Sequence, residues 1–384
     1  MRLLGDFDVA EEIVQDTLLM ALERWRRVGT PERPAAWLAT AARRRAIDQL
    51  RRDARFRRKL ALLKAEPATG ADEPDDRLRL IFTCCHPSLS PRAQVVLTLR
   101  AVCGFTTSEI AGAFLLSEAA VSQQVHRARS KIVQAGVPYR VPAPDEMAER
   151  LDRVLAVLYL MFNEGYLSSG AAEPTRRDLA EDAAWLAALV VRLLPAEPEA
   201  LGLLALMRLH LARAAARFDA GGELVLLADQ DRSRWDREAI ADAILLVERA
   251  GAMRRPGPYQ LQAAIAACHA EAPSWEATDW PQILVLYDML LRFNRSPVVR
   301  LNRAVALRWV GGPEAALAEV EALVPDLDGY HLFHATRAEL LLELGRREQA
   351  RAAELRALGL TVNRAERSLL ERRLVRCFSP DAGA

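Results

Sequence analysis

The chain has 384 residues, too many for one hydrophobic core of ordinary size, so we expect two or three domains. Its 52 basic and 51 acidic residues leave a formal net charge of +1, which excludes a uniformly basic or acidic protein. Five cysteines in so long a chain argue against a disulfide framework, and the lack of a secretory leader argues against secretion. No apolar run reaches the roughly 18 residues that a membrane span requires. We therefore expect a soluble, cytoplasmic protein with no membrane partner.

Helix-forming residues dominate the whole chain and alternating Val, Ile and Thr segments are rare, so the sequence predicts an all-α fold. The first block, residues 1–63, holds an acidic helix followed by a basic one. Residues 41–59 contain nine basic and two acidic side chains, which means that positive charge is concentrated on the second helix. Small and acidic residues predict a solvated linker over residues 64–76.

The second block, residues 77–140, is expected to contain a helix-turn-helix. Ser90, followed by proline, favours the start of a helix, and Gly104 favours its end. Thr106 and Glu109 have the spacing of a capping box, so a new helix should begin directly after that glycine.

The next helix should begin at Ser117, a good N-cap. Four aliphatic side chains then recur on one face: Val121, Val125, Ala128 and Ile132. The opposite face and its flanks are polar and basic, with Ala119, Ser122, Gln123, His126, Arg127, Arg129, Ser130 and Lys131. Gln and Arg can contact base edges and flanking cations can neutralise phosphates, so this face suits DNA, the alternative being an ordinary solvated helix. The capped helix that precedes it favours DNA binding.

The third block, residues 145–384, is expected to be helical throughout and to contain a repeat. Residues 302–317 align with residues 336–351 at an offset of 34, the period of tetratricopeptide helix pairs. The alignment pairs Arg303 with Arg337, Ala304 with Ala338, Gly311 with Gly345, Glu314 with Glu348 and Ala316 with Ala350. Such repeats place small residues between helices and offer a concave surface. We therefore expect a tetratricopeptide-like domain whose concave surface binds a peptide, a protein partner or the chain's own DNA-binding domains.

Two segments of the chain resemble conserved regions of bacterial sigma factors. LSPRAQVVLTLRAVCGFTTSEIAGAFLLSEAAVSQQVHRARSKI resembles region 4, and DVAEEIVQDTLLMALERW followed by PAAWLATAARRRAIDQLRR resembles region 2. Further segments, such as LYLMFNEGYLSS and LLADQDRSRWDR, extend the resemblance over nearly the whole chain. They resemble the extracytoplasmic-function subgroup of sigma factors that has a long tetratricopeptide-like extension. The resemblance implies a non-enzymatic sigma factor that recruits core RNA polymerase to the −10 and −35 elements of promoter DNA, its activity controlled by the extension.

Two other functions are compatible with the sequence. One is a helix-turn-helix regulator whose repeats sense a ligand or protein and which does not join polymerase. The other is an interaction scaffold or degenerate enzyme, although no acid/base pair or nucleophile constellation favours catalysis.

The resemblance also implies roles for individual residues. Contacts with the −35 element are expected from Ser117, Ser122, Gln123, His126, Arg127, Arg129 and Lys131. Contacts with the −10 element are expected from Trp37, Arg43, Arg44, Arg45, Arg51 and Arg52. The ordinary alternative is that some of these arginines pair with nearby carboxylates, such as Asp48 and the glutamates of the first helix. Polymerase binding is expected from Asp8, Glu11, Glu12, Gln15 and Asp16.

The chain departs from the family pattern in two places. Many relatives have Arg at the position of Gln124, so one phosphate contact is missing here. Region 2 usually begins with a further helix ahead of the acidic one, so we expect either a start codon upstream of Met1 or an incomplete region 2.

Two groups of side chains could suggest metal ligands. Cys84, Cys85 and His86 are adjacent, but a closed zinc site needs four ligands and no second pair lies nearby. His331 and His334 lack a third ligand. We expect buried thiols at the first group, polar contacts at a helix interface at the second, and no metal or cofactor.

Two further motifs have structural interpretations. NEGY contains Glu164 without a catalytic partner, and we expect a helix end packed by Phe162 and Tyr166. DQDRSRWDR mixes charges of both signs, which predicts an ion-pair surface around Trp235.

Overall fold

Helices account for most of the described part of the chain. The computed structural model describes residues 7–31, 33–52, 76–114, 116–167, 174–361 and 363–376. It is 77% helical and contains no β-strand within these ranges, which confirms the predicted all-α fold. The chain divides into two units, Met1–Val154 and Leu155–Ala384.

The first unit contains six helices and part of a seventh within the described residues. They are α1 Phe7–Val28, α2 Pro34–Arg52, α3 Asp76–Cys84, α4 Pro91–Thr98, α5 Thr107–Ala113, α6 Glu118–Gln134 and the first part of α7 Pro144–Leu167. Helices α1 and α2 pack against each other, with the small side chains of Ala21 and Ala46 buried. Apart from Asp76, the predicted linker over residues 64–76 lies outside the described residues.

The helix starts predicted in the second block are all confirmed. Ser90 Oγ accepts a hydrogen bond from the Ala93 N–H at 3.4 Å, and Ser117 Oγ accepts one from the Ala120 N–H at 3.2 Å. Gly104 adopts the left-handed conformation, with φ +79°, and ends the preceding helical segment as expected.

The last turn before that glycine differs from the single regular helix expected. Residues Leu99–Cys103 form a π-helical turn directly after α4. Such wider turns are rare and often occur at functional positions. In this chain the turn carries Arg100, whose contacts are described below.

The second unit consists of eleven further helices in the described ranges and the second part of α7. They are α8 Pro174–Leu193, α9 Pro198–Leu211, α10 Arg237–Ala252, α11 Pro258–Glu271, α12 Trp280–Phe293, α13 Pro297–Gly311, α14 Pro313–Glu321, α15 Val324–Leu327, α16 His331–Glu343, α17 Arg347–Leu360 and α18 Arg364–Arg376. Proline occupies the first position of α9, α11, α13 and α14. There its fixed φ suits the helix and its missing N–H is not needed.

Helix α9 forms the centre of the first half of this unit. Nearly all of its side chains are buried, and it packs against α8, α10 and α11. The approach to α11 is close because Gly202 has no side chain: a Cβ there would lie 2.6 Å from the Gln260 backbone nitrogen.

The second half contains two helix pairs with matching spacing. Helix α16 begins 34 residues after α13, at His331 and Pro297, and α17 begins 34 residues after α14, at Arg347 and Pro313. The four aligned alanines, Ala304, Ala316, Ala338 and Ala350, are all buried. The left-handed turn glycines are Gly312 and Gly345, so the alignment of Gly311 with Gly345 misses the turn residue of the first pair by one position.

Candidate nucleic-acid interface

Helices α5 and α6 form a helix-turn-helix that packs on α4 through one face of α6. The buried side chains of α6 are Val121, Val125, Ala128 and Ile132, which confirms the predicted packed face. Because their spacing of four, three and four residues follows the helical period, the opposite face must point away from this small core.

Most of the predicted DNA-reading side chains lie on that outward face. The exposed members are Ser117, Ser122, Gln123, His126, Arg127 and Lys131. Gln124 and Ser130, on the flanks, are half-buried. The outward face therefore presents amide, hydroxyl and cationic groups together, as a major-groove surface requires.

Arg129 differs from its neighbours because its side chain is only 13% exposed. Its Nη2 donates to Oε2 of Glu11 on α1 at 2.6 Å. The other carboxylate oxygen of Glu11, Oε1, accepts a hydrogen bond from Arg100 Nη2, also at 2.6 Å. A residue predicted to contact DNA and a residue predicted to contact polymerase are thus bonded to each other in this structure.

Sequence reasoning missed Arg100. Its Nη1 also donates to the Phe105 carbonyl oxygen at 3.1 Å, so its guanidinium is fixed between the π-helical turn and α1. A usable signal was present in the sequence: Arg100 is the only charged residue of VVLTLRAVCGF. A charge within an apolar helix needs an anionic or hydrogen-bonding partner.

The remaining predicted polymerase contacts lie on α1. Glu12, Gln15 and Asp16 are exposed, while the side chain of Asp8 lies outside the described residues. Asp16 accepts a hydrogen bond from Arg45 at 2.9 Å. This ion pair joins α1 to α2. Its carboxylate is an aspartate of the first helix, whereas the expected partners were Asp48 and the glutamates of that helix.

The predicted −10 residues lie on α2. Arg43 and Arg44 are exposed. Trp37 is half-buried, with its ring edge-on to Trp25 at a centroid distance of 5.5 Å. The side chains of Arg51 and Arg52 lie outside the described residues, although both positions are helical.

The two cysteines at the end of α3 are buried thiols, as predicted. Burial raises the pKa of Cys85 to about 12 and also raises the pKa of Cys84 well above its usual value. His86 instead contacts Ser88 through Nδ1, at 2.8 Å from the hydroxyl oxygen. In the part of the chain that the structure describes, no three His, Cys, Asp or Glu side chains come together as a metal site would require.

The paired histidines of α16 serve two separate contacts. His331 Nε2 lies 3.0 Å from Glu366 Oε2, whereas His334 Nε2 lies 2.7 Å from the Asp328 carbonyl oxygen. Both are therefore polar groups at contacts between neighbouring segments, as predicted. The NEGY prediction is confirmed as well, since Phe162 and Tyr166 stack near the end of α7 at 5.3 Å.

The predicted ion-pair surface around Trp235 is wrong. Trp235 is only 3% exposed, and the guanidinium of Arg232 lies 4.5 Å from its ring centroid. Arg232 donates to the carbonyl oxygens of His269 and Ala272 at the end of α11. The arginine thus binds the negative end of a helix. Arg232 and Trp235 are buried, while the other charged residues of the segment are exposed.

Two of the family models that match the chain describe Sigma-70 regions. Sigma-70 region 2 matches residues 1–56, and Sigma-70 region 4 matches residues 79–132. Residues 150–251 match a family of unknown function, DUF6596. None of the described helices is long and apolar enough to cross a bilayer.

Several known proteins are similar to this chain. An uncharacterized protein of Rhizobium meliloti is 45% identical over 387 residues, which cover 97% of this chain and 91% of that protein. The ECF RNA polymerase sigma factor SigL of Mycobacterium tuberculosis is 34% identical over 133 residues, or 33% of this chain and 75% of SigL. SigG, an ECF sigma factor of the same organism, is 28% identical over 188 residues, or 40% of this chain and 50% of SigG. No solved structure matches the chain.

Proposed function

Because this chain belongs to the family of extracytoplasmic-function (ECF) RNA polymerase sigma factors, we propose that it recruits core RNA polymerase to promoters through α1, α2 and α6. The observation that carries the residue assignment is the two-sided character of α6. Its aliphatic side is buried and its polar side, with Gln123 and Arg127, is exposed. A recognition helix needs that division, since it must rest on its own domain while reading a groove.

At the −35 element, α6 enters the major groove with Gln123 and Arg127 toward the bases. The two side chains lie one helical turn apart and therefore face the same side. Gln suits adenine and Arg suits guanine through paired hydrogen bonds. Ser122, His126 and Lys131 lie beside them and supply further polar and backbone contacts.

At the −10 element, α2 is the contacting helix. Arg43 and Arg44 are exposed on it and Trp37 lies half-exposed near its start. Glu12 and Gln15, two of the exposed side chains of α1, are directed to polymerase. Acidic groups on one helix and cations on the next suit a protein surface and a nucleic acid respectively.

The second unit controls this activity through tetratricopeptide-like helix pairs that bind a protein or peptide. Support comes from the 34-residue spacing of α13 with α16 and α14 with α17, and from the buried alanines between them. A sigma factor of this kind requires no catalytic group of its own. It acts in the cytoplasm, where polymerase and DNA are present.

Run-off transcription with the full chain and core polymerase tests this function. Gln123→Ala and Arg127→Ala should each lower promoter binding by about 1–3 kcal/mol and relax specificity at one base pair. Arg153→Gln, which removes an exposed charge on α7, is the matched control and should leave transcription unchanged. Operator binding without polymerase binding or promoter-specific transcripts would instead favour a helix-turn-helix regulator.

A further inference from the structure

Three arginines surround one buried indole in the second unit. The guanidinium carbons of Arg232, Arg213 and Arg237 lie 4.5, 5.7 and 5.9 Å from the ring centroid of Trp235. We call these four residues the Trp235 cluster. Arg213 and Arg232 are buried, whereas Arg237 is exposed, so within this unit the cluster can be reached from solvent on one side.

The three arginines of the Trp235 cluster bind backbone groups at helix ends. Arg232 and Arg237 donate to carbonyl oxygens at the end of α11, at 2.6 to 3.3 Å. Arg213 donates to a carbonyl oxygen near the end of α9 at 3.4 Å. The carboxylate of Asp236 instead caps the start of α10. In the part of the chain that the structure describes, none of the three arginines forms an ion pair with a carboxylate.

This arrangement leaves an excess of positive charge in the Trp235 cluster. A helix end carries about half a negative charge, so the ends of α9 and α11 offset about one of the three positive charges. Burial, together with repulsion by Arg237 and Arg213, lowers the pKa of Arg232. Because a buried charge without an anionic partner is costly, the cluster favours the binding of about two negative charges.

The Trp235 cluster also has hydrogen-bond donors without an acceptor. Arg232 Nη2 and Trp235 Nε1 are buried, and neither has a partner among the described residues. A third unpaired nitrogen, Nδ1 of His269, belongs to a residue whose carbonyl oxygen already binds Arg232. Most buried polar atoms in proteins have a partner. A ligand with several acceptor oxygens would satisfy both the donors and the charge.

We propose that the Trp235 cluster binds a phosphate dianion, either inorganic phosphate or the phosphoryl group of a small phosphomonoester. A phosphoryl group carries about 1.5 to 2 negative charges at neutral pH and three strong acceptor oxygens. Guanidinium groups bind such oxygens through paired, charge-assisted hydrogen bonds. A carboxylate supplies only one charge and two oxygens. The organic part of an ester would extend past Arg237, on the exposed side.

This inference goes beyond the proposed function, because it assigns a small-molecule ligand to the second unit. It does not depend on promoter recruitment, so its test needs neither polymerase nor DNA.

Titration calorimetry of the full chain with inorganic phosphate, at constant ionic strength, is the first test. Wild type should bind one phosphate with a Kd of about 1 mM or lower, and acetate should not compete. Arg237→Gln removes one charge-assisted contact at an exposed position and should weaken binding about tenfold. Arg234→Gln removes the same charge from an exposed position of the same segment and should bind phosphate as wild type does.

The second test locates the bound phosphate. The chain has seven tryptophans, whose indole N–H groups give separate signals in a proton–nitrogen correlation spectrum. Phosphate should shift the signal of Trp235 most, and the loss of that signal in Trp235→Phe identifies it. Glycerol 3-phosphate distinguishes the two sources of the dianion: tighter binding than inorganic phosphate indicates an ester, and weaker binding indicates the free ion.

Three results would overturn the proposal. One is the absence of phosphate binding by wild type. Another is equal binding by Arg237→Gln and Arg234→Gln, which would mean that phosphate binds elsewhere on the surface. The third is a largest shift at a tryptophan other than Trp235. Failure of the proposed function has a different signature, the absence of promoter-specific transcripts, and leaves these binding measurements unaffected.

Discussion

Thr106 and Glu109 form a reciprocal cap at the start of α5. Thr106 Oγ1 accepts a hydrogen bond from the Glu109 N–H at 3.2 Å, and Glu109 Oε2 accepts one from the Thr106 N–H at 2.6 Å. Helix α5 has only seven residues, and these bonds satisfy two backbone N–H groups at its start. Two exposed side chains therefore stabilise the start of this short helix.

Glu109→Ala should lower the free energy of unfolding of the first unit by about 1 kcal/mol and weaken DNA binding. The backbone N–H of Thr106 lowers the pKa of the Glu109 carboxyl. Because the folded-state pKa is the lower one, this stabilisation is present above the ordinary pKa of 4.5 and is lost as the pH falls through the folded-state value. Urea titrations at neutral and acidic pH measure it, with exposed Glu149→Ala as the control.

Gln124→Arg should add a phosphate contact to α6. Gln124 lies on the flank of α6, half-buried, beside the exposed Gln123. An added cation at this position should tighten binding to the −35 duplex and raise the salt slope by about 0.9 without changing sequence preference. Gln134→Arg adds the same charge at the end of the helix. Equal effects of the two changes would show that net charge alone is responsible.

The two glycines Gly202 and Gly251 should respond to alanine in opposite directions. At Gly202 the new methyl would meet the Gln260 backbone at 2.6 Å, which forces α9 and α11 apart and should cost about 2–3 kcal/mol. At Gly251, in α10, nothing lies within 4 Å, so alanine should stabilise by about 0.5–1 kcal/mol through helix propensity. Thermal unfolding of both variants measures the difference. Equal destabilisation would contradict the close approach of α9 and α11.

Sequence patterns predicted the local features of this protein well. The caps at Ser90, Thr106 and Ser117 involve residues at most four positions apart, so the sequence alone contains both partners. The division of α6 into two faces follows from the helical period in the same way. Such features depend on residues that are close together in the sequence and not on how distant segments pack.

Contacts between distant segments could not be predicted in this way. Glu11 meets Arg100 and Arg129 only because of how α1 lies against the helix-turn-helix. The error at Trp235 has a similar origin, since mixed charges usually indicate a surface. Here Arg232 finds its partners in carbonyl oxygens at the end of α11, 37 and 40 residues away. Backbone acceptors leave no signature in the sequence.

Acidification should destabilise the second unit through His269. Burial, with the nearby Arg213 and Arg232, lowers the pKa of this imidazole to about 4 in the folded protein. The unfolded chain takes up the proton near pH 6.5, so folding stability is lost as the pH falls from about 6.5 to 4. At pH 5 the loss from this group is about 2 kcal/mol. His269→Gln should reduce the acid dependence of urea unfolding, and an unchanged slope would contradict the assignment.

Neighbouring arginines of α18 should differ sharply in their contribution to stability. Arg373 Nε lies 3.2 Å from Oε1 of Glu354, whose side chain is only 2% exposed, and Nη2 lies 2.9 Å from Glu339. Arg372 pairs with Glu223 at a position where both side chains are more than two-fifths exposed. Arg373→Gln leaves a buried carboxylate without this cation and should cost about 3 kcal/mol, whereas Arg372→Gln should cost about 1 kcal/mol or less.

Urea unfolding of the full chain at pH 7 compares the two variants. Glu354→Gln in the Arg373→Gln background should recover part of the lost stability, because the remaining group is then neutral. That recovery separates the cost of removing the cation beside Glu354 from the loss of packing by the arginine stem. Similar losses for the two arginine variants, or no recovery in the double variant, would indicate that the stem of Arg373 matters and its charge does not.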